Sequence, residues 1–286
     1  MDAAFYLQMT ITAVVLSLLY ILMASGFNLV FGIIGIVNFA HGTFYMLGAT
    51  FVYWFMKSYG WSYFFAGIAS VALAYGIGWL CERYLMRGVR GDILGSIIIT
   101  LGLLMIFQSA AQIIWGEWDK AVPSPVTGVI NIGGAFLPWE TVLPMVGALV
   151  VMMLLYWFLM YTKLGLSLRA VTNNREAAAL MGININFSYS LGFAIGCTLA
   201  AAAGVLIAPL WSISSTMGST PLWKTFIVVI LGGMGSLPGA VVAGILLGVV
   251  DSFVTTLFSS AAAHIFGFGI IITILVFRPR GLMGQI

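Results

Sequence analysis

The side chains that could do chemistry are concentrated in one polar stretch, residues 163–186, with the sequence KLGLSLRAVTNNREAAALMGININ. Only 7% of the chain is charged. Four charged side chains nevertheless lie in this stretch: Lys163, Arg169, Arg175 and Glu176. Asn173 or Asn174 could accept hydrogen bonds from the free N–H groups at a helix start, and Gly182 suits a helix end. The pattern predicts a short helix in a water-facing loop, with a surface suited to binding another molecule.

Residue combinations typical of enzymes do not occur in the sequence. Gly-Lys is absent, so there is no phosphate-binding P-loop, and we do not expect this chain to hydrolyse ATP itself. Neither His-Glu-x-x-His nor Gly-x-Ser-x-Gly occurs. Cys81 and Cys197 are far apart in apolar runs, which favours neither a disulfide framework nor a metal site. We therefore predict no catalytic site, no metal and no cofactor.

The composition indicates a membrane protein. Hydrophobic residues make up 62% of the 286 residues, and the mean hydropathy is +1.12. A soluble domain contains about 25% charged residues, far more than this chain. Its uncharged runs have the length of about 20 residues that a helix needs to cross the hydrocarbon layer, and they do not alternate as barrel strands do. We predict an all-α polytopic membrane protein in contact with the lipid bilayer. We expect no nucleic acid partner.

About eight to nine transmembrane segments, some of them broken helices, are predicted within a single domain, 1–286. The segment 222–235 is the weakest of these because its apolar part has about a dozen residues, too few for a full crossing. The candidate crossings are 9–31, 36–56, 63–81, 93–115, 141–162, 187–209, 222–235, 239–258 and 261–277.

The basic residues predict the orientation. Eight of the eleven fall on one side of these crossings: Arg83, Arg87, Arg90, Lys163, Arg169, Arg175, Arg278 and Arg280. The remaining three are Lys57, Lys120 and Lys224. Because cytoplasmic loops carry an excess of Lys and Arg, the N-terminus is expected outside and the C-terminus in the cytoplasm. Lys224 is expected to extend to the outer headgroups.

Two glycine-rich segments interrupt the apolar runs, GIIGIVNFAHG at 32–42 and GGMGSLPG at 232–239. Gly35 and Gly233 are the positions where we expect the backbone to bend or to approach another segment closely. Broken helices at membrane depth are tolerated where the backbone lines a cavity or is buried in protein. In transporters they mark the binding site.

Polar side chains inside the crossings extend this hypothesis to a substrate path. Asn28, Asn38 and His41 lie around the first break, and Asp251 lies near the middle of its segment. Such residues are costly in a membrane and usually face a cavity. Alternatively, they pair with one another or with backbone carbonyls freed at the breaks. The predicted substrate path comprises Asn28, Gly35, Asn38, His41, Gly233 and Asp251.

Residues 26–49, GFNLVFGIIGIVNFAHGTFYMLGA, resemble the signature of branched-chain amino-acid ABC importer permeases, specifically the H-type subunit. Glu176-Ala177-Ala178, followed by Gly182, resembles the EAA loop with which such permeases dock on an ATPase. Further similarity lies in Glu82-Arg83 with Arg87, in GLSLRA at 165–170, in NREAAALMGININ at 174–186, in 230–248 and in RPRGLMG at 278–284.

The resemblance implies a transport subunit without enzymatic activity in the bacterial cytoplasmic (inner) membrane. Its implied partners are an M-type permease, two ATPase subunits and a periplasmic substrate-binding protein. The implied solute is a branched-chain or related amino acid or another small polar molecule. The implied ATPase-coupling residues lie in the cytoplasmic loop 163–186: Arg169, Arg175, Glu176, Ala177, Ala178 and Gly182.

Two alternatives are left open. A basic loop that only fixes membrane topology would carry the same charges as 163–186. An ion-coupled secondary transporter would also cross the membrane many times, although it is expected to contain more intramembrane carboxylates than Asp251 alone.

Overall fold

The computed structural model describes residues 3–117, 119–132, 134–278 and 281–284. Arg280, one of the basic residues expected in the cytoplasm, lies outside this part of the chain. The helices are α1 Ala3–Ile34, α2 His41–Tyr59, α3 Tyr63–Tyr84, α4 Ile93–Trp115, α5 Trp139–Tyr161, α6 Lys163–Asn173, α7 Arg175–Leu180, α8 Ile185–Ile207, α9 Ser219–Gly232, α10 Leu237–Leu257 and α11 Ser260–Phe277. A 3-10 turn, Met86–Val89, follows α3, and a hairpin of β1 Val129–Ile132 and β2 Ala135–Pro138 precedes α5.

Seven of these helices, α1, α3, α4, α5, α8, α10 and α11, are long and apolar enough to cross a membrane. Helix α2, with 19 residues, and the shorter apolar helix α9, with 14, are not among these seven. The predicted all-α polytopic architecture with broken helices is confirmed. Helix α9 spans only about 21 Å at 1.5 Å per residue, less than the hydrocarbon thickness of about 30 Å.

Helices α1 and α8 form the centre of the bundle, and α4 and α11 lie at its edge. Within the most apolar window of each helix, 78% of α1 and 83% of α8 are buried, compared with 17% of α4 and of α11. The apolar side chains of α4 and α11 are therefore exposed, as expected of helices that face lipid. Contact with lipid tails costs an apolar side chain no free energy relative to burial in protein.

Small residues let α10 approach the central helix α1 closely. A Cβ on Gly244 of α10 would lie 2.5 Å from the side chain of Ile21 on α1, and the Ser252 hydroxyl donates to the Met9 carbonyl at 2.8 Å. As residue numbers rise along α10 they fall along α1, so the two helices are antiparallel. In the absence of a hydrophobic force between helices, such close contacts are a main source of stability in a bilayer.

The connection between α4 and α5 contains the β-hairpin, in which Ile130 pairs with Leu137 and Asn131 with Phe136. Lys120, in the same connection, forms an isolated antiparallel bridge with Ile213 between α8 and α9. The two connections are thereby joined at one end of the bundle.

Candidate substrate path and coupling segment

The side chain of Asn28 joins the two glycine-rich breaks. Its Nδ2 donates to the Ser236 carbonyl at 3.0 Å, and its Oδ1 accepts from the Gly235 N–H at 3.0 Å. Around this pair the backbones nearly touch, since a Cβ on Gly32 would lie 3.8 Å from the Gly235 carbonyl oxygen. Asn28 therefore pairs with backbone groups freed at the second break, as one of the two sequence hypotheses expected.

After α1 ends, the chain of the first break runs back alongside α1, and α2 begins there. His41, the first residue of α2, contacts the Met23 carbonyl through Nε2 at 3.0 Å, and its ring meets Phe27 edge-on at 5.6 Å. Met23 lies eleven residues before the end of α1 at Ile34, so α2 starts about 16 Å back along α1. His41 thus fixes the start of α2 to the interior of the bundle.

Asn38 occupies the same break and is fully buried with His41. Its Oδ1 accepts from the Ala40 N–H at 3.0 Å, whereas Asn38 Nδ2 and His41 Nδ1 have no hydrogen-bond partner within the described residues. These two atoms are polar groups that the bundle leaves unsatisfied at the break.

Gly35 and Gly233 both adopt positive φ, +76° and +100°. A Cβ on Gly35 would meet nothing within 4 Å, so the requirement for glycine there comes from the backbone conformation alone. Gly233 directly follows α9 and donates its N–H to the Val229 carbonyl at 3.0 Å. Positive φ is unfavourable for residues with a Cβ. Both positions therefore favour glycine, as expected where the backbone bends.

A cleft of about 450 Å³ opens between α1, α5, α6 and α10. Arg169 on α6 lines it, whereas the resemblance implied a role for Arg169 in ATPase coupling. The Nε of Arg169 is buried and has no partner, and its guanidinium forms no hydrogen bond or ion pair within the described part of the chain. Other residues of the lining are Asn28, Gly32, Thr172, Ser236 and Met283.

Helix α7 is capped at both ends as the sequence predicted. The side chain of Asn174 accepts from the Ala177 N–H at 2.9 Å, and Gly182 has φ +82° just beyond the helix. Arg175 and Glu176 are exposed. The polar loop thus presents a short capped helix with both charged residues, Arg175 and Glu176, exposed on its surface.

Asp251 lies away from this cleft and forms an ion pair with Lys224. The Tyr20 hydroxyl donates to the second carboxylate oxygen at 2.5 Å. Lys224 is only 2% exposed, so the prediction that it extends to the outer headgroups is wrong. A buried ammonium is retained when a carboxylate compensates for its lost hydration, and Asp251 provides that partner.

A family model described as "Branched-chain amino acid transport system / permease component" matches residues 9–275. The chain belongs to this family. It is a permease subunit of the ABC importer class rather than an enzyme, as predicted.

The sequences of several known permeases align with almost the whole length of this permease. It is 32% identical to the high-affinity branched-chain amino acid transport system permease protein BraD of Pseudomonas aeruginosa, and 31% identical to LivH of Escherichia coli K12. Each alignment covers 98% of this chain and 96% of the relative. Identity to LivM of E. coli K12 is 25%, over 96% of this chain and 70% of that protein. The predicted resemblance to the H-type subunit is thereby confirmed.

Among solved structures, PsaBC from Streptococcus pneumoniae in complex with Fab has a similar fold. The TM-score is 0.55 at 10% identity, covering 94% of this permease and 91% of that chain. At such low identity the similarity concerns the fold alone. A multi-pass location in the membrane follows from the family and the apolar helices.

Sequence reasoning missed two residues of the permease surface. Leu180 is 89% exposed and Met181 is 83% exposed, both at the end of α7. Two adjacent large apolar side chains inside a polar loop were the available signal, because exposed apolar clusters mark interaction sites. Within the described residues no group of three or more His, Cys, Asp or Glu could hold a metal ion.

Proposed function

We propose that this permease is the H-type subunit of an ATP-driven importer of branched-chain or related amino acids. Its partners would be an M-type permease, two ATPase subunits and a periplasmic substrate-binding protein. The names of BraD and LivH, the relatives that match nearly end to end, support the solute class. Similarity to LivM supports a second permease of the same family.

The observation that carries the ATPase partnership is the surface of α7. Arg175 and Glu176 are exposed beside Leu180 and Met181, whereas Ala178 is 4% exposed and holds the helix to the bundle. A charged pair beside an apolar pair suits a docking site, in which apolar anchors are surrounded by polar contacts. We assign ATPase coupling to Arg175, Glu176, Ala177, Ala178 and Gly182. We include Arg169, which lies on the preceding helix α6 and lines the cleft.

The proposed coupling route runs from α7 through α6 to the joined breaks. A Cβ on Gly32 would lie 3.5 Å from the methyl group of Thr172 on α6, and Gly32 in turn lies against Gly235. Displacement of α6 would therefore shift both breaks together. For ATP to drive the change, the ATP-closed ATPase dimer must bind the inward- and outward-open permease states with different affinities.

The proposed substrate path comprises the joined breaks and the cleft below them. Asn28 lines the cleft, and Gly35 and Gly233 shape its two breaks. Asn38 and His41 contribute the unsatisfied polar atoms at the start of α2. Asp251 is separated from the cleft, and its ion pair supports a bracing role over direct contact with the solute.

We further propose that the N-terminus is outside and the C-terminus is cytoplasmic. Arg90, in the α3–α4 connection, bonds to Asn186 at the start of α8. Two of the basic connections therefore lie at one end of the bundle, as the excess of Lys and Arg in cytoplasmic loops requires.

The test is uptake of labelled leucine by proteoliposomes that contain both permeases and the ATPases, with the binding protein outside and ATP inside. We expect uptake that requires ATP, the ATPases and the binding protein together. Uptake by the permeases alone, driven by a proton or sodium gradient, would instead establish the ion-coupled alternative.

A further inference from the structure

We infer that Arg90 is a positioning residue that fixes the coupling helix α7 and the start of α8 to the end of α3. The inference rests on the proposed docking of ATPases at α7, but the contacts behind it are independent of that docking. They connect the α3–α4 loop to the coupling segment, which is 85 residues further along the chain at Arg175.

The anchor of this arrangement is the carboxylate of Glu82 in the last turn of α3. Glu82 is fully buried. Arg90 donates to its Oε1 from Nε at 2.8 Å and also from Nη2, and the Ser190 hydroxyl donates to Oε2. Both oxygens of the buried carboxylate are therefore satisfied, the condition under which a buried ion pair is well tolerated.

The same guanidinium also holds the start of α8. Its Nη1 donates to the side-chain oxygen of Asn186, and its Cζ lies over the ring of Tyr189, 4.8 Å from the ring centre. The planar guanidinium of Arg90 thus donates several hydrogen bonds in its plane while its face stacks on an aromatic ring. A lysine ammonium cannot do both.

Tyr189 extends the connection to α7. Its hydroxyl accepts from Nη1 of Arg175 at 3.4 Å, while its ring lies against Arg90. Helix α7 has six residues and buries only Ala178. Since so little apolar packing holds α7, the Arg175–Tyr189–Arg90–Glu82 series is a main link between α7 and the transmembrane helices.

A link of this kind between α7 and the transmembrane helices would have a functional consequence. Force applied to α7 by an ATPase would move α3 and α8 with it instead of bending the loop. Without Arg90, the ATPases would still dock and hydrolyse ATP, but a smaller part of each ATPase movement would reach the helices. The expected defect is loss of coupling rather than loss of assembly.

The chain offers a matched control in the same connection. Arg87 is exposed and has no hydrogen bond, ion pair or ring contact within the described residues. Arg87→Gln removes the same charge from the same loop as Arg90→Gln. It therefore has the same effect on the Lys and Arg bias that orients the chain.

The experiment uses the complete transporter in proteoliposomes, with uptake and ATP hydrolysis measured in the same vesicles. Spin labels on cysteines at Leu85 and Ala179, both exposed and neither assigned to ATPase contact, report the distance from the end of α3 to α7. For Arg90→Gln we expect uptake per ATP to fall by about tenfold, within the usual range of allosteric coupling, and the distance distribution to broaden. Arg90→Lys should behave similarly, and Arg87→Gln should match the wild type in both measurements.

Arg90→Gln leaves Glu82 buried without its partner, which threatens folding. The double variant Glu82→Gln/Arg90→Gln removes both charges and is measured if the single variant fails to assemble. An unchanged uptake per ATP and an unchanged distance in the variant that assembles would overturn the inference. If instead α7 does not dock the ATPases, Glu176→Lys would keep coupled uptake while Arg90→Gln still broadened the distance, so the two failures are distinguishable.

Discussion

The ammonium group of Lys224 on α9 is paired with the carboxylate of Asp251 on α10, and both side chains are buried in the bundle. Their exposed fractions are 2% and 6%. With 14 residues, α9 is the shortest of the apolar helices in the described part of the chain. The ion pair, with Tyr20 on α1 as a third member, ties this short helix to its two neighbours.

Asp251→Asn is expected to destabilise the permease, because it leaves the Lys224 ammonium buried without a counter-charge. Removing one partner of a buried ion pair costs about 3–5 kcal/mol. The variant should show a lower level in the membrane and aggregate at a lower temperature in detergent. Uptake per molecule of inserted permease should change little.

The double variant Lys224→Gln/Asp251→Asn is the control for this interpretation. It removes both charges, so it should recover much of the stability lost in the single variant, the non-additivity expected of residues in contact. Normal membrane levels of Asp251→Asn combined with poor uptake per molecule would instead place Asp251 in the substrate path.

Gly35→Ala should impair the permease through backbone conformation alone. A Cβ would fit at this position, but φ is +76°, and the left-handed region costs a residue with a Cβ about 1–2 kcal/mol. Gly35→Val, which is bulkier and β-branched, should be worse, and Gly233→Val should also fail. The measurement is uptake normalised to the amount of permease in the membrane.

Gly102→Ala in α4 provides a control for Gly35→Ala. A Cβ at Gly102 also meets nothing within 4 Å, but φ there is not positive. Alanine should be neutral or slightly stabilising at this helical position. Wild-type uptake in both Gly35 variants would argue against a strained break next to the path.

Cysteines placed near Arg87, Asn174 and Gly284 should be shielded from an impermeant thiol reagent in intact cells, and one at Ser124 should be labelled. The two native cysteines, Cys81 and Cys197, are buried, so the background should be low. Labelling at Asn174 from outside would reverse the proposed orientation and remove α7 from the reach of cytoplasmic ATPases.

The local features of this permease could be predicted from the sequence, and the long-range pairs could not. Capping by Asn174 and Gly182 depends on residues within one or two turns, which are adjacent in the sequence. The partner of Lys224 is 27 residues away, in the following helix. Which polar groups meet depends on helix packing, so a lysine near a predicted helix end was interpreted as reaching the headgroups.

The same distinction explains the outcome for the candidate path. The glycine-rich composition located both breaks, because glycine alone adopts positive φ readily. That Asn28 would reach across to Gly235 and Ser236 required the antiparallel packing of α1 on α10. The position of Arg169 on the cleft likewise follows from how α6 packs, which no motif encodes.

Glu176→Lys should abolish coupled uptake without lowering the amount of permease in the membrane. Glu176 is exposed on α7, and surface substitutions usually change stability by no more than about 0.5 kcal/mol. At a docking site the loss is larger, because truncation of a hot-spot contact costs about 2 kcal/mol or more. Since about 1.4 kcal/mol corresponds to tenfold in affinity, ATPase association should weaken well beyond tenfold.

The companion variant Gly182→Leu tests the end of the same helix. A side chain would have room there, but φ is +82°, so the turn that follows α7 should be displaced together with Leu180 and Met181. Arg87→Glu, a charge reversal of equal size at an exposed position, is the control and should keep its ATPases. Co-purification of the ATPase subunits and uptake per ATP are measured for all three variants. A Glu176→Lys permease that retained its ATPases and its coupled uptake would reduce α7 to a topology signal, and the joined breaks at Asn28 would then be the remaining basis for the transport function.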